Sequence, residues 1–426
     1  MKQMMTLARV ILVLGTGAPA SAQNNRSEDA YTRYELLAPE TASFKVIYDV
    51  SAVSPGVKFF FNPIRIGSVA TDESVIDLMT GVPLKFEDVS GADAREAGLT
   101  SADLNGRYIK VHLARPVPEG GESRVRIIKT YKDPKSYFRD GDSVVFDRSL
   151  GITRNSVVLP PGYELVACNI PSQVIEEPDG RVGISFMNTY PGPAPLVLRA
   201  KPPAGGPPTP GARRPPARPT QAGPPVTAEP APREVPMENV RVPNRAFQDR
   251  EIVYFLKEPE THAFSLYHDY TESEEGRDKY LNVVRRGSTV SSPSAKILDT
   301  GEPLKVETLK GDAITKAGID IGEPTQADSE VVVIRFDPVK KGQSVRLRIE
   351  ETYTDPARYA LIDGQLMWRR SFGRPRNDIV LPAGWYLTTS SIPAVVRQES
   401  DGRIRLAFAN PRPDSIDVFV KARKRR

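Results

Sequence analysis

Cysteine and histidine are nearly missing from this chain. Of 426 residues, one is cysteine (Cys168) and three are histidine (His112, His262 and His268). A single thiol closes no intramolecular disulfide, so the fold must rest on hydrophobic cores and not on the covalent staples of small exported modules. No HExxH, CxxC, GxSxG or phosphate-cradling glycine loop occurs, so no motif calls for a metal or a cofactor. Charge of one sign is also lacking. Lys and Arg number 58 against 53 Asp and Glu, for a net +5, and the signs are interspersed. Nucleic-acid binders cluster their basic residues on one face, and this balance does not support such a partner. Beyond the first residues, no apolar stretch approaches the ~20 residues that a transmembrane helix needs.

What is present begins with a leader. Lys2 and Arg9 flank Val10-Ile-Leu-Val-Leu14, and Ala20-Ser21-Ala22 supplies a small-residue cleavage site. Residues 1–22 read as a secretory signal peptide, which predicts a periplasmic or secreted protein beginning at Gln23. Proline is concentrated as well: 13 of the 40 prolines lie between 202 and 236. The ring fixes φ and removes a donor, so 202–246 reads as an uncored, extended linker. At roughly 3.1 Å per residue it would separate its ends by up to about 100 Å.

The sequences on either side of this linker match. Thr80-Gly-Val-Pro-Leu-Lys85 returns as Thr300-Gly-Glu-Pro-Leu-Lys305, and Thr130-Tyr-Lys-Asp-Pro134 as Thr352-Tyr-Thr-Asp-Pro356. The stretch RSLGITRNSVVLPPGYEL from Arg148 returns as RSFGRPRNDIVLPAGWYL from Arg370. The offset is 220 residues early and 222 later. A whole domain is duplicated: copy 1 over 30–201 and copy 2 over 247–422, with a basic tail at 423–426. The block from Lys421 to Arg426 reads as a frayed terminus able to touch an anionic surface weakly.

Both copies alternate apolar and polar residues with the period of a strand that has one wet face, most clearly at Val345, Leu347, Ile349 and Tyr353. Short helices are expected only at 92–97 and 312–317. The pattern predicts an all-β protein: two homologous antiparallel β-sandwiches with independent cores.

In the repeated stretch, Gly151 and Gly373 suit a tight turn that a side chain would obstruct. Asn155 and Asn377 can tie off the loop backbone. Arg148, Arg154, Arg370 and Arg376 either grip a carboxylate or phosphate ligand or pair with internal acids. Trp368 and Trp385, which replace Phe146 and Tyr163 of copy 1, are either core plugs or platforms for a glycan. Asp49 and Asp269, and Asp133 and Asp355, recur in both copies and keep a carboxylate hydrolase in view.

The order of these features is similar to that of secreted bacterial proteins with tandem β-domains. The TG-PL hairpin, the strand ending Glu351 to Asp355, and the closing Leu381 to Trp385 segment also resemble the all-β N-terminal domain of gluzincin aminopeptidases and the luminal domains of ribophorin I. The resemblance implies a domain that binds or positions, because the zinc motif of that peptidase family is missing here. The expected function is non-enzymatic binding or scaffolding in the cell envelope, with an envelope protein or a glycan such as peptidoglycan as partner.

Overall fold

A computed structural model describes residues 30–119, 121–190, 192–202 and 250–425. The expected signal peptide, nearly all of the proline-rich linker and Arg426 lie outside the described residues. In copy 1 the strands are β1 (Tyr31–Leu36), β2 (Ser43–Ala52), β3 (Phe59–Ile64), β4 (Val69–Asp77), β5 (Phe86–Ser90), β6 (Arg107–His112) and β7 (Ser123–Lys132). They continue with β8 (Tyr137–Asp140), β9 (Ser143–Leu150), β10 (Arg154–Val158), β11 (Glu164–Glu176), β12 (Val182–Met187) and β13 (Ala194–Lys201). Copy 2 repeats them as β14 (Arg250–Leu256), β15 (Ala263–Glu272), β16 (Lys279–Val284), β17 (Thr289–Ile297), β18 (Lys305–Lys310), β19 (Glu330–Arg335) and β20 (Val345–Thr354). It closes with β21 (Tyr359–Ile362), β22 (Gln365–Phe372), β23 (Arg376–Val380), β24 (Trp385–Gln398), β25 (Ile404–Ala409) and β26 (Ile416–Lys424). Two short helices, α1 (Gly91–Glu96) and α2 (Asp312–Lys316), fall where the sequence places them. The all-β expectation holds.

The chain forms two compact units whose boundary does not follow the duplication. One contains Ile47–Tyr131; the other contains Thr32–Val46 and everything described from Lys132 onward, including all of copy 2.

Copy 2 is a two-layer sandwich with a small added sheet. One layer runs β17–β20–β15–β14–β23–β25, antiparallel except for the parallel β14–β23 pair. The other runs β21–β22–β26 and on to the first half of β24. Strand β24 serves both layers, because Val395–Gln398 pair with β25 after a bulge between Leu387 and Thr389. Trp368 of β22 fills the space between the layers. Its ring meets Phe264 edge-on at 6.2 Å and Tyr254 at 5.4 Å. The small sheet, β16–β19–β18, packs Val331 and Val333 against Ile314 and Ile319 beside α2.

The matching parts of copy 1 are built alike. Within its own unit, β3–β6–β5 packs Phe61 and Tyr108 against Ala94 and Leu99 near α1. In the other unit Phe146 sits edge-on to Phe44 at 5.3 Å, the counterpart of Trp368 on Phe264. Tyr137 donates its hydroxyl to the Leu37 carbonyl at 2.9 Å, and Tyr359 does the same to Lys257.

The copies are also joined directly. β11 of copy 1 pairs antiparallel with β24 of copy 2, matching Cys168 with Val396, Ser172 with Ala394 and Val174 with Ser390. With the offset of 222, Cys168 is the counterpart of Ser390 and Val174 of Val396, so the first and last pairs are mates. Ser172 and Ala394 are counterparts of each other. This is the self-complementary contact of a two-fold dimer, made inside one chain. Independent cores on a tether alone are therefore not what the chain builds.

Two local expectations are corrected. The basic C-terminus is not frayed up to Arg425: β26 carries Val418, Val420 and Ala422 into the core. Its arginines are held by copy 1, Arg423 on Glu176 at 2.5 Å and Arg425 on Glu164 at 2.6 Å. Gly151 is not forced by crowding, since a Cβ there would meet only Pro193 Cγ at 3.9 Å, whereas a Cβ on Gly373 would press on Ser415 Oγ at 3.3 Å. The conformational demand falls on Gly162 and Gly384, both at φ +78°, where the chain turns into β11 and β24.

Candidate functional site

The repeated stretch places its side chains in the interior more than on the surface. Arg148 is buried on β9. Its Nη1 donates to Asp133 Oδ2 at 2.9 Å and to Ser136 Oγ at 3.2 Å, and the guanidinium lies over the Phe44 ring at 5.4 Å. Arg370 occupies the same place on β22 over Phe264 at 5.2 Å, and faces the wholly buried Asp355 at 3.9 Å. Arg148 closes an internal ion pair with Asp133, whereas Arg370 turns inward to Asp355 without reaching a hydrogen bond. Reading them as surface binding residues is corrected by burial.

Asn155 and Asn377 do what the sequence suggests, donating to the Ile152 carbonyl at 2.6 Å and the Arg374 carbonyl at 2.7 Å. Trp368 and Trp385 are 1% and 2% exposed, which removes them as glycan platforms. Trp385 Nε1 is tied to Glu258 Oε2 at 3.2 Å. Of the repeated arginines, Arg154 and Arg376 lie at exposed positions. Arg376 reaches Glu251 Oε2 at 3.2 Å.

The repeated carboxylates are likewise committed. Asp49 takes a bidentate fork from Arg126 at 2.6 and 2.7 Å, and Asp269 takes the equivalent fork from Arg348 at 2.8 Å on both oxygens. Such forks are strong structural links and leave neither acid poised for proton transfer. Among the described residues, no group of three or more His, Cys, Asp or Glu side chains is placed to hold a metal.

Chemistry that sequence reasoning missed appears where the copies differ. In copy 1, buried Lys129 donates to Asn62 Oδ1 and lies over Tyr131 at 4.7 Å. Copy 2 keeps the asparagine and the tyrosine but inverts the charge. Asn282 Nδ2 donates to Glu351 Oε2 at 2.6 Å and contacts the Tyr353 hydroxyl at 2.9 Å. Burial pushes the Glu351 carboxyl up.

Beside this lies His268, buried against Tyr280, whose hydroxyl is 3.4 Å from Nδ1 and accepts from Arg374 Nη2 at 3.1 Å. Burial, reinforced by Arg374 and Arg250, holds His268 well below the ordinary histidine range, so the ring is neutral. The counterparts of His268, Tyr280, Arg374 and Arg250 are Tyr48, Phe60, Ile152 and Ala30. An apolar or aromatic stripe in copy 1 has become a polar one in copy 2.

A second difference surrounds Asp355. Ser288 Oγ donates to it at 2.9 Å, and Arg358 Nη1 lies 3.4 Å from both of its oxygens. Arg358 stands where copy 1 has Ser136, which donates to Asp133 at 2.7 Å. Arg285 opens the turn that Ser288 closes. Its guanidinium is pushed down by burial and by the nearby Arg370 and Arg358 cations. A position-by-position comparison of the two copies for gained or lost charge would have flagged Arg358, Arg374 and Glu351 from sequence alone.

No protein-family model and no curated protein matches the sequence. Among solved structures, the M1 zinc metallopeptidase of Deinococcus radiodurans is similar over 41% of this chain and 41% of its own, at 12% identity and a TM-score of 0.27. An aminopeptidase N family protein from Idiomarina loihiensis is similar over 40% of this chain and 29% of its own, at 9% identity and a TM-score of 0.25. The chain thus spans less than half the length of these structures. The matches fall in the family that the sequence resembles, and likeness at this level carries no functional argument.

Proposed function

We propose that the protein is a non-enzymatic binding or scaffolding protein of the bacterial cell envelope, exported by its leader and presenting two fused β-domains to a partner. The observation that carries this reading is the commitment of the repeated charges. Asp49, Asp269, Asp133 and Asp355 each face an arginine of their own copy. What both copies preserve is therefore architecture, and we assign recognition to Arg154 and Arg376 because they are the repeated arginines at exposed positions. The partner is an envelope protein in preference to a glycan, since both tryptophans are enclosed.

Fractionation with the native leader, followed by a pull-down from detergent-solubilised envelope, tests the proposal. Wild type should recover a protein that Arg154→Ala/Arg376→Ala of equal thermal stability does not. Recovery of the same set by both, or retention of the protein in the cytoplasm, would refute it.

A further inference from the structure

We propose that copy 2 carries an oxyanion site formed by Arg285, Arg358 and Arg370 beside Asp355, fitted to inorganic phosphate or a phosphomonoester. The inference does not depend on the envelope-binding reading, because it rests on the surroundings of Asp355, where copy 2 has Arg358 in place of Ser136 and keeps Arg285 where copy 1 has Arg65.

In copy 1 the buried arginine is fully engaged. Arg148 Nη1 donates to Asp133 and to Ser136, and Ser136 donates to the same carboxylate. In copy 2 the serine is replaced by Arg358, and the buried arginine stands off: Arg370 Nη1 is 3.9 Å from Asp355 Oδ2, beyond hydrogen-bond reach. That nitrogen is buried and has no hydrogen-bond partner among the described residues. Leaving a charged donor unsatisfied in the interior is costly, and a bound oxygen would relieve it.

The charges point the same way. Arg358 and Arg370 face one carboxylate at 3.4 and 3.9 Å, and Arg285 stands close enough to feel both cations, for an excess of two positive charges. Glu351 lies within the field of Arg370, and burial favours its neutral form. Arg285 is pushed down first by desolvation and then by the neighbouring Arg370 and Arg358 cations, which Asp355 offsets in part. A phosphomonoester supplies two negative charges and a tetrahedral set of oxygens for arginine forks arriving from different directions; a carboxylate supplies one charge in one plane.

Access is graded from solvent inward. Arg285 is exposed, Arg358 is 32% exposed at its side chain and Arg370 12%. Arg285 and Arg358 thus form the lip and Arg370 the floor.

The test is calorimetric titration of the mature chain with inorganic phosphate at fixed ionic strength set by chloride, with acetate as a parallel arm. Saturable binding of one phosphate per chain is expected. Arg358→Ser installs the residue that copy 1 folds with at that place and should weaken binding about tenfold or more, the scale of one charge-assisted contact. Arg285→Ala, at an exposed turn, should weaken it similarly, and Arg412→Ala, which removes an exposed partner of Asp414, should leave it unchanged. The proposal is overturned if folded wild type shows no saturable phosphate binding. It is equally overturned if both lip variants bind as wild type does, or if acetate binds as tightly as phosphate.

Discussion

Replacing Trp368 tests whether the aromatic positions shared by the copies are core plugs. The indole lies between the layers of copy 2 with Phe264, Tyr254 and Phe372 around it and 1% of its surface exposed. Burying a tryptophan removes about 250 Å² from water, which at about 25 cal/mol per Å² sets an upper bound near 6 kcal/mol. Truncation leaves a cavity that relaxes in part, and measured costs of such changes run about 3–5 kcal/mol. Trp368→Ala should therefore cost about 4 kcal/mol, and Trp368→Phe, which installs the residue of copy 1, clearly less.

The chain has two tryptophans, so in either variant Trp385 emission alone reports the unfolding of copy 2. With a urea dependence of about 2 kcal/mol per M, the alanine midpoint should fall by about 2 M. Iodide should fail to quench either indole of the native protein. A shift below about 0.5 M, or ready quenching of native wild type, would refute the buried-plug assignment and return these residues to the surface.

The buried ion pair of copy 1 gives a second case: Asp133→Asn leaves Arg148 without its counter-charge and should destabilise by about 3–5 kcal/mol, read from chemical denaturation. His268 gives a pH dependence. Its folded pKa is depressed, so above pH ~6.5 folded and unfolded chains are both neutral there, while below it only the unfolded chain takes the proton. Stability should then fall with decreasing pH by up to about 1.4 kcal/mol per unit relative to His268→Tyr, the residue of copy 1; parallel pH profiles for the two proteins would contradict this. Gly384→Ala forces a side chain into φ +78° and should cost about 1–2 kcal/mol in a thermal melt. Cys168 is buried at the β11–β24 junction and its thiol is pushed up by burial, so a thiol reagent should label it only as fast as the junction opens. Labelling at the rate of a free thiol would show that the junction is not closed in solution.

The strands were legible because a sheet with one buried face writes its period directly into the sequence: Val345, Leu347, Ile349 and Tyr353 all face inward on β20. The same logic extended further than the basic tail suggested. Val418, Val420 and Ala422 alternate up to the last residues, and the surrounding lysines and arginines hid a strand that reaches Lys424. The β11–β24 junction was not legible. Whether a strand edge is open or paired depends on where other strands lie, and Ser172 or Ala394 carries no sign of its neighbour. The buried polar stripe was hidden for another reason. His268 and Glu351 sit at inward positions of alternating strands, where a polar residue breaks the pattern and reads as noise. The sequence left the arginines as paired or ligand-bound alternatives, and the geometry divides them: Arg148 and Arg370 turn inward to acids, and Arg376 turns outward to Glu251.

The junction also explains why a duplicated chain can join its copies without lengthening into an open sheet. Pairing slips between Cys168 and Ser172, and again between Ser172 and Val174, so each long strand is irregular at its centre. Pro171 and Pro393 are counterparts that lie in these irregular stretches and offer no N–H to a ladder. The contact closes on itself, since each strand presents to its mate the segment that the mate presents in return. A further chain adding to the same edges would have to displace it. Joining the copies through a linker makes that displacement harder, because the partner strand is held at high local concentration. Once pairing was secured in this way, the copies no longer had to remain interchangeable. The interiors differ accordingly: Tyr48, Phe60, Ile152 and Ser136 of copy 1 stand where copy 2 has His268, Tyr280, Arg374 and Arg358. The junction is symmetric between the copies while the interiors it joins are not.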